Sequence, residues 1–468
     1  MYLAPDLRTA AGSFRDPQGQ VIEIGECVYR TLEAPLAPFP QTWSDDGPLA
    51  SLVTDGKLWP ARPLLRESAP KELAEHAPRA IGFLEHPRLA PITYPYEWPF
   101  ELLKRAALLH LDVHRTVLAR GLTLADGSAY NVQFVGSRPV FLDSLAFVPY
   151  VEAQAWAGYA QFCESFLNPL LLAARGSESA SHIYRGRLRG VSVRETARQL
   201  GWWGALRARV FMHVTVNSMA ERAASPTRES TRRPASTRGG LELLLGSLQR
   251  AIERLELPRT AQGWGEYERS NSYAADERSA KSDAVRAFVA DAQPQLLLDL
   301  GCNTGEYAEL ALQAGARGVL GLERDTDAVE RAVRRADALD KPFLPLQVEI
   351  QNPSPDQGWD LAERRSLHSR VRADALLCLA LVHHLALGEG LPLEQIVRGI
   401  VAYAPRGLIE FVPIEDPMAR QIAGPAERLR HRYDLAAFLD AVSRVARIER
   451  QTPLTASGRV LVEFRRTA

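Results

Sequence analysis

The twelve residues QLLLDLGCNTGE, Gln295 to Glu306, constrain this chain more than any other segment. A short apolar run meets an acid, then two glycines four residues apart, then a polar helix start. That order predicts a buried parallel strand that stops at a tight turn and returns as a helix. A turn of this kind brings bare backbone close to a ligand. Nicotinamide-type dinucleotide folds want G-x-G-x-x-G, whose glycines clear space for a pyrophosphate. Gly301, Cys302, Asn303, Thr304 and Gly305 do not have that spacing. A nucleoside-triphosphate loop needs Lys followed by Ser or Thr, and neither is present. What remains is D-x-G-x-N-x-G from Asp299 to Gly305. Asn303 stands where another Gly is common, and Asn is among the few residues that tolerate positive φ.

This pattern resembles motif I of the class I S-adenosylmethionine-dependent methyltransferases. The resemblance implies a loop that cradles the methionine end of the cofactor, with Asp299, Gly301, Asn303 and Gly305 as cofactor-binding residues. A structural Gly turn in another α/β domain would read the same way in isolation, but the downstream segments accompany it. Gly318 to Glu323, GVLGLE, is a second apolar strand ending in an acid, eighteen residues after Gly305. That interval holds one helix, Tyr307 to Ala314, and a turn at Gly315. A carboxylate at such a strand tip can accept both ribose hydroxyls of a nucleoside, the role the resemblance gives Glu323. Asp325 competes for it, and a solvated strand-end acid is the plain alternative.

Phe343 to Ile350 is a third strand, with Glu349 as a candidate adenine contact or an ordinary surface acid. Asn352-Pro353-Ser354-Pro355 follows as a rigid turn. It has the composition of an amino-methylating N-P-P-aromatic motif but comes after the third strand rather than the fourth. The fourth strand, Ala375 to Leu381, runs into His383 and His384. Ligands and chemistry gather at the carboxyl edge of a parallel sheet, and an imidazole there can act as a general base near neutral pH. One core His and one helix-start His would give the same sequence. The pair is adjacent rather than i,i+4 and lacks zinc-type companions, so no metal is expected. Gly407 to Val412 is a fifth strand, and Pro413 and Asp416-Pro417 open a loop over the site. The helix Leu435 to Val442 and the hairpin Val445 to Thr452 with Arg459 to Phe464 resemble the closing elements of the same fold. Upstream, Trp264, Tyr267 and Tyr273 precede an amphipathic helix, Asp283 to Ala290, and resemble a cofactor lid.

Composition bounds the rest. The chain has 468 residues, 46% of them hydrophobic, enough for two or three domains with a sizeable core. Its 56 basic and 56 acidic side chains cancel, giving no global pull toward nucleic acid or anionic membrane. Cys27, Cys163, Cys302 and Cys378 fit no disulfide or zinc spacing and suit a reducing compartment. The start lacks the basic and apolar runs of a signal peptide. No apolar stretch reaches the ~20 residues of a membrane helix, so a cytoplasmic protein is expected.

Arg222 to Gly240, RAASPTRESTRRPASTRGG, is almost empty of apolar residues and reads as a flexible linker. Leu241 to Leu257 then reads as the amphipathic helix that opens the second domain. In the first 221 residues, GLTLADGSAYNVQFVGSRPVFLDSLAF from Gly121 to Phe147 stands out. Asp126 and Asn131 are five apart and Asp143 follows twelve later, after PVFLD. This trio resembles that of kinase-like phosphotransferases, which implies a catalytic-loop Asp, an Asn metal ligand and an Asp holding magnesium, with Mg-ATP as ligand. The helices Phe100 to Ala119 and Tyr159 to Ala174 suit such a lobe. The departures are that no His-Arg precedes Asp126, no Phe-Gly follows Asp143, and residues 1–100 lack a G-x-G-x-x-G loop and a strand lysine. An Asx turn with loop acids explains the trio as well.

The combined order is similar to a bacterial family of two-part methyltransferases, some of them called host-specificity nodulation proteins. DGSAYNVQF, PVFLD, QFCESFLNPLLL, NPSPDQGW and LIEFVP with DPM carry that likeness. The expected architecture is an α/β, Rossmann-like, seven-stranded class I methyltransferase domain over 241–468. An α+β, kinase-like domain over 1–221 precedes it, joined by the linker 222–240. The expected function is S-adenosylmethionine-dependent methyl transfer to a small-molecule acceptor, with His383 or His384 on the acceptor side. The alternatives are a non-catalytic nucleotide-sensing module fused to a methyltransferase fold, and an RNA methyltransferase. Neutral charge and the lack of a recognisable RNA-binding module argue against a nucleic-acid partner.

Overall fold

The computed structural model describes residues 7–16, 19–33, 39–176, 179–207, 237–258, 275–423, 433–454 and 458–466. Most of the expected linker Arg222 to Gly240, and Trp264, Tyr267 and Tyr273, lie outside the described residues. The chain divides into two units. The first comprises Met1–Phe134, Arg138–Pro258 and Pro355–Arg365; the second holds Val135–Ser137, Arg259–Ser354 and Ser366–Ala468.

The N-terminal unit begins with an antiparallel sheet of order β1-β2-β3-β5-β4. Its strands are β1 Leu7–Thr9, β2 Val21–Ile24, β3 Cys27–Leu32, β4 Arg62–Leu65 and β5 Gly82–Pro87. Gly25, at φ 55°, turns the chain between β2 and β3, a corner where glycine carries no steric cost. Ile22, Tyr29, Leu64 and Phe83 project to one face and pack with Leu73 and Ala80. The helix Phe100–Leu118 follows and is buried over most of its circumference, as a core helix must be. Short strands come next: β6 Leu122–Leu124, β7 Val132–Val135, β8 Arg138–Phe141 and β9 Phe147–Pro149. The expected helix Tyr159 to Ala174 is interrupted by a π-helical turn at Cys163–Leu167. Pro169 lies just beyond it, and a proline that cannot donate its N–H favours such a widened turn.

The helix Arg238–Glu253 corrects the expected boundary at residue 241, because it belongs to the N-terminal unit. Leu241, Leu245, Leu248 and Ile252 form one buried stripe, and the helix packs on Phe100–Leu118. Lys104 Nζ donates to the carbonyls of Glu253 and Leu255 at 3.0 and 2.9 Å, satisfying the end of the helix. A polar stretch marks a break in packing, but it does not say which side owns the next apolar stripe.

The C-terminal unit holds a sheet of order β12-β11-β10-β13-β14-β16-β15. Its strands are β10 Leu297–Leu300, β11 Val319–Glu323, β12 Phe343–Gln347, β13 Ala375–Cys378, β14 Arg406–Phe411, β15 Ala446–Leu454 and β16 Arg459–Arg466. The first five pair in parallel, and β16 runs antiparallel between β14 and β15. Five parallel strands followed by an antiparallel pair make an α/β, Rossmann-like sheet. The parallel strands are buried on both faces and read as apolar runs rather than alternating ones. The order reverses beside β10, so a crevice opens beyond the carboxyl ends of β10 and β13, the place where such sheets bind ligands.

Candidate active site

The turn after β10 is held by its own backbone. Gly301 and Cys302 both donate their N–H to the carbonyl of Leu322 on β11, and Gly305 donates to Cys302 O at 2.9 Å. Gly301, Asn303 and Gly305 all have positive φ, at 74°, 49° and 83°. Asn303 therefore occupies a left-handed position, and its Oδ1 accepts the N–H of Thr304 at 2.7 Å. Gly305 caps the helix Glu306–Gln313, and a Cβ there would sit 2.6 Å from Phe343 Cε1. Its role is to let the turn pass over Phe343; Gly301 to Thr304 and Glu306 line the cleft, whereas Gly305 does not.

Glu323 ends β11 beside this turn. Its carboxylate accepts the Asn303 N–H at 2.9 Å and the Asp325 N–H at 2.8 Å, one on each oxygen. Each oxygen keeps acceptor capacity toward the cleft it lines. Burial raises its pKa, and the backbone donors counter this in part. Asp325, the competitor, uses its carboxylate to cap the helix Thr326–Leu339 through the Ala328 N–H.

Asp299 is 2% exposed, lines the cleft, and its Oδ2 has no hydrogen-bond partner among the described residues. Burial pushes its pKa up to about 7, with the Lys281 charge opposing and Glu323 adding to the rise. Lys281, on the helix Ala275–Ala292, also lines the cleft. Its Nζ lies 2.7 Å from Glu410 Oε2 and 4.7 Å from the centre of the Tyr307 ring. Arg459 joins Glu410 at 3.1 Å and Asp416 at 2.8 Å. The result is a buried chain of four charges tying the helix before β10 to β14, the loop after it, and β16. Sequence reasoning missed Lys281, Glu410 and Arg459. A lone acid inside the apolar run GLIEF was the available signal, because a buried carboxylate needs a cation.

The two histidines separate. His383 is fully buried, neither ring nitrogen has a hydrogen-bond partner among the described residues, and it does not line the cleft. Burial, then the neighbouring His384, lowers its pKa to about 3, so the structure corrects its reading as an acceptor-side base. The strand–helix junction simply turns its ring into the core. His384 does line the cleft, and burial with Arg324 nearby lowers its pKa to about 4. A base that weak is neutral at pH 7 and ill-matched to proton abstraction there. Glu349 is not among the lining residues, although Val348, Ile350 and Gln351 are. The expected loop after β14 contains a helix, Pro417–Ala423. Among the described residues, no three His, Cys, Asp or Glu side chains are grouped to hold a metal.

In the N-terminal unit Asp126 and Asn131 meet, and Asp143 lies near enough for its charge to act on Asp126. Asn131 Nδ2 donates to Asp126 Oδ1 at 2.6 Å. Asp143 caps the turn Ser144–Ala146 through the Leu145 N–H and lies 3.8 Å from Arg30 on β3. Arg30 also pairs with Asp16. Burial, then the Asp143 charge, raises the Asp126 pKa to about 6.

No family model matches the chain. Over 99% of its length the chain is 37% identical to Nodulation protein NoeA of Rhizobium meliloti (strain 1021), covering 97% of that protein. Solved structures similar to it include N-methyltransferase NodS from Bradyrhizobium japonicum WM9, at 11% identity and TM-score 0.31, covering 42% of this chain and 98% of that one. Magnesium protoporphyrin IX methyltransferase from Synechocystis PCC 6803 with bound SAM is 17% identical at TM-score 0.31, covering 44% of this chain and 92% of that one. The bifunctional kinase-methyltransferase WbdD is 15% identical at TM-score 0.30, covering 45% of this chain and 44% of that one.

Proposed function

The chain belongs to the family of Nodulation protein NoeA and is a class I S-adenosylmethionine-dependent methyltransferase, and from that premise we propose that it methylates a small-molecule acceptor. The observation that carries the cofactor assignment is the Asp299 Oδ2, buried, on a residue that lines the cleft, and without a hydrogen-bond partner among the described residues. An acceptor atom there without a donor suits the ammonium of an amino-acid group. Lys281 across the cleft suits its carboxylate. Glu323 suits the ribose hydroxyls, since its two backbone donors pre-orient the carboxylate and leave both oxygens able to accept again.

When bound, S-adenosylmethionine supplies an electrophilic methyl on a sulfonium. The chain's own contribution is placement and exclusion of water. The Gly301–Thr304 backbone shapes one wall, and Leu379 and Leu381 keep another apolar. His384 is a neutral wall residue that can hydrogen-bond an acceptor without carrying its proton at pH 7.

The N-terminal unit supports a kinase-like reading: an antiparallel sheet with Arg30 on its third strand, a long core helix, then Asp126, Asn131 and Asp143. Arg30 already neutralises Asp16 and Asp143 from within. In this reading the unit regulates the methyltransferase rather than transferring phosphoryl groups.

Calorimetric titration of S-adenosylmethionine into the wild-type protein and Glu323→Ala tests the assignment. Loss of two charged hydrogen bonds at ~1.5 kcal/mol or more each predicts binding weakened by about two orders of magnitude. Equal affinity in both proteins would sink the ribose role.

A further inference from the structure

The segment Pro355–Arg365 lies in sequence between β12 and β13 of the methyltransferase sheet, yet it folds as part of the N-terminal unit. It closes on itself. Gln357 N–H donates to Arg364 O at 2.8 Å, and Arg364 N–H donates back to Gln357 O at 3.1 Å. Inside this small loop Glu363 accepts the Trp359 N–H at 2.8 Å. Gly358, at φ 85°, is required because a Cβ would come 2.6 Å from Glu363 Cβ. Asp360 and Leu361 stand at φ 54° and 55°. Such conformations cost energy in non-glycine residues and persist only where the surroundings over-determine them.

Those surroundings belong to the N-terminal unit. Gly12, in the turn Ala11–Arg15, approaches so closely that a Cβ would meet Glu363 O at 2.5 Å. Arg15 pairs with the buried Glu363 carboxylate, which holds that group below the usual carboxylate range. The Arg364 guanidinium lies 4.1 Å from the centre of the Tyr130 ring and 5.8 Å from that of Tyr94. Arg365 reaches Glu23 on β2 at 3.9 Å. The two turns that grip the loop are thus the one before β2 and the one carrying Asn131.

At the other end of this connection, Val348, Ile350 and Gln351 line the methyltransferase cleft. Only three residues separate Gln351 from Pro355. So short a span, at ~3.5 Å per residue, cannot absorb a large shift of either end.

We propose that the N-terminal unit is a clamp: by seating Pro355–Arg365 it fixes the β12–β13 crossover and holds the Val348–Gln351 wall in its cofactor-binding shape. This rests on reading the cleft as the S-adenosylmethionine site. The full chain is compared with Arg15→Glu, Glu363→Arg and the double reversal. The measurements are S-adenosylmethionine calorimetry and hydrogen exchange of residues 343–354, with melting curves confirming that each variant folds. Each single reversal weakens binding about threefold to tenfold and raises exchange in 343–354, and the double reversal recovers both. Arg364→Ala, which leaves Glu363 paired, shows the same loss by an independent contact. Single variants and Arg364→Ala with wild-type affinity and wild-type exchange overturn the clamp, as does a double variant no better than its parents. A wild-type protein that fails to bind S-adenosylmethionine fails the cofactor reading instead, and exchange in 343–354 then decides the clamp alone.

Discussion

Asp299 carries the sharpest consequence at the scale of a single residue. An unfolded aspartate titrates near ~3.9, whereas burial raises the folded group to about 7. Between those values the folded protein holds a proton that the unfolded chain has released. Stability therefore falls as pH rises through this window and the penalty is complete above it. Asp299→Asn removes the titration. The wild-type melting temperature is expected to drop relative to the variant from roughly pH 4 to pH 7 and to run parallel above, while the variant binds S-adenosylmethionine more weakly. Melting curves that stay parallel across the whole range would contradict this.

Between elements, the buried chain Lys281–Glu410–Arg459–Asp416 joins three stretches distant in sequence, around residues 281, 410–416 and 459. Its members are unequal. Lys281→Met leaves Glu410 paired with Arg459, so the loss is moderate. Glu410→Gln removes the carboxylate that Lys281 and Arg459 share, leaving Arg459 on Asp416 and Lys281 without its ion-pair partner at 2.7 Å, a broken buried pair that costs about 3–5 kcal/mol. Urea unfolding should rank Glu410→Gln well below Lys281→Met. The reverse ranking would mean that Lys281, not Glu410, is the hub. None of this pairing was readable beforehand, since partners contributed by separate elements share no sequence spacing.

For the whole molecule, the N-terminal unit is discontinuous: its core ends at Pro258, but Pro355–Arg365 completes it. A fragment ending at Pro258 should therefore bind a synthetic peptide spanning residues 353–367, measured by fluorescence anisotropy. The same peptide carrying Glu363→Arg should bind less well. A fragment indifferent to both peptides would show that the seat is not preformed. Cutting the chain at the polar stretch near residue 240 would instead strip away the helix Arg238–Glu253, whose leucine stripe packs on Phe100–Leu118.

Sequence alone determined what depends on local backbone chemistry. The turn Asp299 to Gly305 needs left-handed residues at set positions, and Gly301, Asn303 and Gly305 announce them. Apolar runs of strand length with helices between them announce a parallel sheet, and Glu323 at a strand tip follows from that register. Tertiary structure alone decided what depends on which surfaces meet. It buried His383 and left His384 at the cleft, though the two are neighbours in the chain. It gave Asp299 a cation at Lys281 and Glu363 a cation at Arg15. It also assigned Pro355–Arg365 to a unit whose other residues all lie at or before Pro258. Burial and charge pairing are properties of the packed solid, and a one-dimensional pattern carries them only when the partners are close along the chain.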